Sequence, residues 1–371
     1  MKIPFLDLHR QYKTIKHEVD KAIQSVLNKQ LFILGDELQR FETEFSKYLG
    51  VEYAIGVSSG TDGLILALRA LGISKNDEVI TSANSFMATT LAIVSVGAIP
   101  ILVDCDPKTY EIDIEGVKRK ITKKTKAILS VDLYGNPCDI LELRQIADKH
   151  KIYLIEDAAQ AHGARIGNKK IGAFADVSVF SFYPAKNLGA YGDAGAVVTN
   201  KQNVYEKLIK LRNYGQIKKY VHEIIGYNNR LDEIQASILS VKLQYLDEWN
   251  KERNKIASVY RRGLRYSLTQ KIKKGYYSCC HLFVIESNKR DELKIFLEKK
   301  GIYTLIHYPI PIHLQPCFSS LGYKKGDFPV TERLANRILS LPMYPELTKE
   351  EIFYVIEQVN DFERKNLFFF G

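Results

Sequence analysis

From about residue 50 the chain alternates short, uniformly apolar runs with longer segments whose apolar positions recur at helical spacing. "YAIGV" precedes "TDGLILALRALG", and "DEVITS" precedes "FMATTLAIVSVGA". "PILVD" and "KAILSVD" follow, then "DILELRQIADKHK" and "IYLIED", and "VSVFSF" and "GAVVT" close the series. Continuous β-branched runs between helical patterns belong to strands buried on both faces. The pattern therefore predicts an α/β architecture, a mostly parallel sheet wrapped by helices, with its ligand at the carboxyl ends of the strands.

From Leu231 to about Leu264 the period is helical throughout, broken late by "RRG". A smaller α+β unit follows. "CCHLFVIES" reads as a strand, "RDELKIFLEKKG" as a helix stopped by Gly301, and "KEEIFYVIEQVNDF" as a last helix. Between them, "IHYPIPIHLQPC" is too rich in proline for a regular element and reads as an ordered loop. The expected division is a large unit over residues 1–250, including an N-terminal arm, and a small C-terminal unit over 251–371.

Composition changes this picture little. With 46% hydrophobic and 26% charged residues the chain is ordinary for a soluble globular protein. No apolar run reaches the length of a membrane span. Five cysteines without a C-x-x-C pair argue against a disulfide framework, and a reduced, cytoplasmic setting is expected. The net charge of +10 invites a nucleic-acid reading, but there is no basic tail, zinc pattern or recognition-helix signature. A phosphorylated small molecule suits a basic protein equally well. No metal-ligating constellation is read.

Three places carry candidate chemistry. In "SSGTDGLILALRALG" the residues Ser58 to Thr61 leave a strand and open a helix, where unpaired N–H groups form an anion site and Gly60 allows close approach. The plain alternative is an N-cap, with Thr61 closing the helix. In "IYLIEDAAQAHGA", Glu156 and Asp157 end a buried strand, with Gln160 and His162 just beyond. Such a carboxylate holds a cation or a protonated ring nitrogen, or merely caps the next helix. In "SFYPAKNLGAYGDAGAVVT", Lys186 stands just past a strand, where desolvation would make it a nucleophilic amine; alone it reads as a surface lysine. The nucleotide-binding patterns G-x-x-x-x-G-K-[ST] and G-x-G-x-x-G are absent. Phosphate corner, edge carboxylate and edge amine on one parallel sheet are the parts needed to hold pyridoxal 5'-phosphate (PLP).

Seven segments, in order, resemble the DegT/DnrJ/EryC1/StrS family of PLP-dependent sugar aminotransferases: "IPFLDLHRQY", "GVSSGTDGL", "IEDAAQAHGA", "SFYPAKNLGAYGDAGAVVT", "GYNNRLDEIQASIL", "HYPIPIHLQP" and "SLPMYPELTKEE". The resemblance implies the aspartate aminotransferase-like fold (PLP fold type I) and a role for each matched residue. Lys186 would carry the cofactor covalently and shuttle the proton. Asp157 would pair with the pyridine nitrogen and Gln160 with the ring hydroxyl. Phe86 would lie against the ring, and Gly60, Thr61 and Ser181 would bind the phosphate. Asn229 would reach the phosphate from a second subunit, which implies a homodimer with shared active sites. Phe86 alone reads as a core aromatic, and Asn229 alone as a turn or cap residue.

Because the chain keeps Lys186, the resemblance favours transamination over the dehydratase chemistry of members with histidine there. The stretch around Lys186 resembles members that aminate C3 of a TDP-linked 3-keto-6-deoxyhexose, with L-glutamate as the expected donor. Members acting on 4-keto sugars more often carry histidine where Tyr183 stands. A UDP-linked 3-keto sugar is the nearest competitor. Tyr183, His307, Tyr308 and His313 are the expected substrate contacts, the last three because a proline-pinned loop fixes side chains.

Overall fold

A computed structural model describes residues 1–367. The apolar runs become the seven strands of one sheet: β1 (Tyr53–Val57), β2 (Glu78–Ser82), β3 (Ile99–Val103), β4 (Thr125–Val131), β5 (Tyr153–Asp157), β6 (Val177–Ser181) and β7 (Gly195–Thr199). Their spatial order is β1-β7-β6-β5-β4-β2-β3, and only β7 runs antiparallel to its neighbours. Both faces are covered, as the unbroken apolar runs require: Ile55, Val57, Val79, Ile80, Leu129, Ile155, Val179 and Val197 are all fully buried.

One face packs against helix Gly60–Ala70, drawn close by Gly63, where a Cβ would lie 2.7 Å from Val179 Cγ1. The other face meets helices Asp36–Leu49 and Glu233–Leu243. There Phe41, Phe45, Phe180 and Phe182 pack edge to face, with ring centroids 5.2–5.4 Å apart. Such aromatic pairs stabilise by about 0.5–1.5 kcal/mol beyond the area they bury.

A second core surrounds a three-stranded antiparallel sheet of Leu268–Thr269, Phe283–Glu286 and Ile338–Leu341, backed by helices Leu246–Gly263, Arg290–Lys299 and Lys349–Leu367. Ile3, at the other end of the chain, is fully buried in this core and bridges Ile302 in parallel.

Two local expectations change. The long helical stretch is two helices, Glu233–Leu243 and Leu246–Gly263. The break is a tightening: Gln244 and Tyr245 keep near-helical dihedrals (φ −65°, ψ −24° and φ −99°, ψ −10°), so the apolar period passes through it unaltered. The proline-rich loop contains two 3₁₀ turns, Ile312–Leu314 and Pro316–Leu321. Among the described residues, no helix is long and apolar enough to cross a membrane.

Candidate active site

The parallel strands end together, and a cavity of about 360 Å³ opens there. Its lining includes Gly60, Thr61, Phe86, Asp157, Gln160, Ser181, Tyr183, Lys186, His307 and Tyr308, which the chain delivers from five separate stretches.

The corner after β1 is built by hydrogen bonds and close packing. Ser59 caps the helix, its Oγ accepting from Asp62 N at 3.1 Å. The Ser58 and Ser59 hydroxyls donate to Asp62 Oδ2 at 2.6 and 2.8 Å. The cap is thus Ser59, and Thr61 lies within the first turn, facing the cavity. A Cβ on Gly60 would lie 2.8 Å from Ser181 Cβ, so the helix end sits directly against β6. Gly195 is tighter still: its Cβ would meet Ser59 C at 2.5 Å and Ser59 O at 2.6 Å. The pairing of Gly195 with both Val57 and Ser181 in the sheet explains this closeness.

Asp157 ends β5 and is 6% exposed. Its Oδ2 accepts from Thr89 Oγ1 at 2.9 Å and its Oδ1 from Ala159 N at 3.2 Å. Burial raises its pKa, against the pull of these donors and of the Lys186 charge. Lys186 lies in a turn closed by its N–H donating to Tyr183 O at 2.8 Å. Burial pushes the Lys186 amine down to about 8, with the Asp157 charge opposing. An amine that loses its proton near neutral pH, beside a buried carboxylate, is chemically a nucleophile and a proton carrier.

Gln160 is clamped from two sides, its Oε1 accepting from Tyr134 N at 2.6 Å and its Nε2 donating to Tyr308 Oη at 3.3 Å. Tyr308 also packs on Phe86, ring centroids 5.2 Å apart and tilted by 38°. Tyr183 stands at the rim, 55% exposed. His307 lines the wall, with Nδ1 2.9 Å from Ser340 Oγ. Burial, assisted by the Lys186 charge, pushes His307 down to about 4 and keeps it neutral.

One expected substrate contact, His313, is not brought to this cavity, and Asn229, expected to act on a second subunit's site, lies outside it. His313 is 3% exposed, with Nε2 3.0 Å from Glu332 Oε1 and its ring 4.7 Å from that of Phe328. The 3₁₀ turn at Ile312–Leu314 directs it into a separate apolar cluster, so it is a core histidine in this chain. Asn229 lies beside the hairpin of Gln216–Lys218 and Val221–His222, its N–H donating to Arg212 O at 3.0 Å.

Several lining or supporting residues escaped the sequence reading: Ser85, Thr89, Tyr134, Asp193 and His281. Thr89 and Asp193 stand inside quoted motifs and could have been found there. Tyr134 and His281 have no local signal, since only the fold brings them to the site.

The family model described as the DegT/DnrJ/EryC1/StrS aminotransferase family matches residues 13–360. The chain is 42% identical to the dTDP-3-amino-3,4,6-trideoxy-alpha-D-glucose transaminase of Streptomyces venezuelae, over 98% of this chain and 97% of that one. It is 43% identical to the UDP-N-acetyl-3-dehydro-alpha-D-glucosamine 3-aminotransferase of Acidithiobacillus ferrooxidans, over 94% and 95%. Among solved structures, DesV of S. venezuelae, in complex with a ketimine intermediate, superposes with a TM-score of 0.96 at 43% identity, covering 98% of each chain.

Proposed function

Because this chain belongs to the DegT/DnrJ/EryC1/StrS aminotransferase family, we propose that it is a PLP-dependent transaminase. It moves an amino group from L-glutamate to the C3 keto group of a TDP-linked 3-keto-6-deoxyhexose. The observation that carries this reading is the meeting, in one cavity, of a desolvated amine, a buried carboxylate and a helix start with no room for a side chain. The residues present fit PLP: an amine for its aldehyde, an acid for its ring nitrogen and an anion-binding corner for its phosphate.

Each residue then has a task. Gly60, Thr61 and Ser181 bind the phosphate through the helix start and the serine hydroxyl. Asp157, held by Thr89 and the Ala159 N–H, keeps its carboxylate aimed at the ring nitrogen. Gln160 presents its clamped amide to the ring hydroxyl, while Phe86, with Tyr308 packed on it, lies against the ring. When bound, the cofactor supplies an electron sink that acidifies the carbon bearing the amino group. Lys186 Nζ takes up and returns that proton, a task suited to an amine titrating near 8. Tyr183 and His307, with Tyr308, contact the sugar or its diphosphate; a neutral His307 offers one donor and one acceptor. Asn229 acts on the phosphate of a partner subunit, so the working form is a homodimer, set in the cytoplasm, with units at 1–250 and 251–371. A UDP-linked 3-keto sugar is the second reading, favoured by the likeness to the A. ferrooxidans enzyme.

The test is reduction of the PLP-loaded protein with borohydride, followed by peptide mass spectrometry and assay with glutamate on TDP- and UDP-keto sugars. The pyridoxyl group is expected on Lys186, and Lys186→Ala should lose the covalent attachment and at least about 10³-fold in activity. An adduct on another residue, or no turnover of any nucleotide-linked keto sugar, overturns the proposal.

A further inference from the structure

Behind the cavity wall, one residue of unusual backbone geometry touches both sides of the site. Tyr134 sits in the 3₁₀ turn Leu133–Gly135 that follows β4, with φ 64° and ψ 9°, and is 1% exposed. A bulky residue in this left-handed region is rare, and it persists only where its surroundings hold it there. They do so here. Tyr134 O accepts from Leu282 N at 3.3 Å, and Gly135 O accepts from Cys279 N at 3.0 Å and from Ser278 Oγ at 2.8 Å. A Cβ on Gly135 would lie 2.9 Å from Gln160 O, so the turn also sits directly against the backbone of Gln160.

The turn aims two donors. Tyr134 N–H meets Gln160 Oε1 at 2.6 Å. A backbone N–H can only donate, so the amide oxygen of Gln160 faces the turn and its nitrogen faces away. Gln160 Nε2 donates to Tyr308 Oη at 3.3 Å, which uses one of its two N–H groups and leaves the second available. The Tyr134 hydroxyl donates to the carbonyl of His307. Gln160, His307 and Tyr308 all line the cavity, so two of its walls take their orientation from a single buried residue behind them.

We propose that Tyr134 is a positioning residue acting on both walls: its N–H holds the Gln160 amide with the nitrogen turned to the ring hydroxyl of the cofactor, and its hydroxyl holds the loop of His307 and Tyr308 in place for the sugar nucleotide. The proposal rests on reading the cavity as the PLP site. The two tasks separate chemically, because one depends on a backbone dihedral and the other on a side-chain oxygen. Removing the hydroxyl spares the backbone donor. A β-branched residue, which tolerates positive φ poorly, withdraws that donor.

The experiment measures PLP affinity by fluorescence titration of the cofactor-free protein. It also measures KM and kcat with glutamate, at saturating PLP, on the TDP- or UDP-linked 3-keto sugar that the parent turns over. Tyr134→Phe keeps the ring and its packing, and should raise KM for the sugar about tenfold while kcat and PLP affinity stay within about twofold of the parent. Tyr134→Val should weaken PLP about tenfold, and should weaken it no further in a Gln160→Ala background, because the N–H acts only through that amide. An unmoved KM in Tyr134→Phe, whatever kcat does, overturns the proposal, as do additive losses of PLP affinity in the double variant. Tyr134→Phe removes only one oxygen, so it decides the matter even where Tyr134→Val does not fold. Borohydride reduction of the PLP-loaded parent separates the two readings. Pyridoxyl on Lys186 with an unmoved KM or additive losses sinks the role of Tyr134 alone, whereas pyridoxyl elsewhere sinks the functional reading itself.

Discussion

A second lysine shows how far burial can shift an amine here. Lys242 is fully buried on helix Glu233–Leu243, its Nζ donating to Gly189 O at 2.7 Å and lying 4.2 Å from the Tyr191 ring centroid. Burial pushes it down to about 7, with the Glu346 charge opposing. Its pKa is near 10.4 in the unfolded chain, so between about 7 and 10.4 the unfolded state binds the extra proton and stability rises with pH. Lys242→Met should remove that pH dependence, while leaving the Gly189 carbonyl without its donor. Urea midpoints from pH 7 to 9.5 should therefore climb less steeply in Lys242→Met than in the parent. Parallel slopes would contradict a neutral buried amine. At this scale the sequence was legible only where chemistry and strand ends coincide, as at Asp157 and Lys186. His307 and His313 stand in the same proline-rich stretch, yet one lines the cavity and the other packs against Phe328 in a core, because His313 sits within a 3₁₀ turn that the sequence did not announce.

Among elements, the strands were the most readable, since a run such as "IYLI" before Glu156 shows no polar alternation and fits the middle of a sheet. The helix break at Gln244 was invisible because neither residue there is a helix breaker and the period survives it. The glycines after Lys186 serve packing between elements. Gly195→Ala would drive a methyl into Ser59 and Gly60 N, 2.8 Å away, which are backbone atoms that cannot rotate aside. Overpacking of this kind costs about 1–3 kcal/mol. Calorimetry should show a lowered Tm, and fluorescence titration a weaker affinity for PLP, because the displaced helix start is the proposed phosphate site. Unchanged PLP affinity would separate that corner from the cofactor.

For the whole molecule, two large apolar side chains stand out from the surface close to Asn229 in the chain. Tyr220 is 81% exposed and Ile225 93%, on and beside the hairpin, and Leu31 and Phe32 are 47% and 43% exposed elsewhere on the chain. Exposed apolar side chains of this size mark association surfaces when they cluster. If the homodimer forms through the hairpin, Tyr220→Ser with Ile225→Glu should halve the sedimenting mass and loosen PLP, because Asn229 would no longer reach its partner. A double variant of full mass would place the contact elsewhere. This level was hardest to read from sequence, since an exposed isoleucine and a buried one look alike until the fold is known.

The bridge made by Tyr308 has a mechanical consequence. This residue belongs to the loop that leads back to the small sheet, yet it touches Phe86 and Gln160 on the large one. Any displacement of this loop would therefore part the Phe86–Tyr308 ring contact and release the Gln160 amide together. One side chain thus fastens the aromatic wall and the neighbouring amide at once, so a change that unseats it is felt at both.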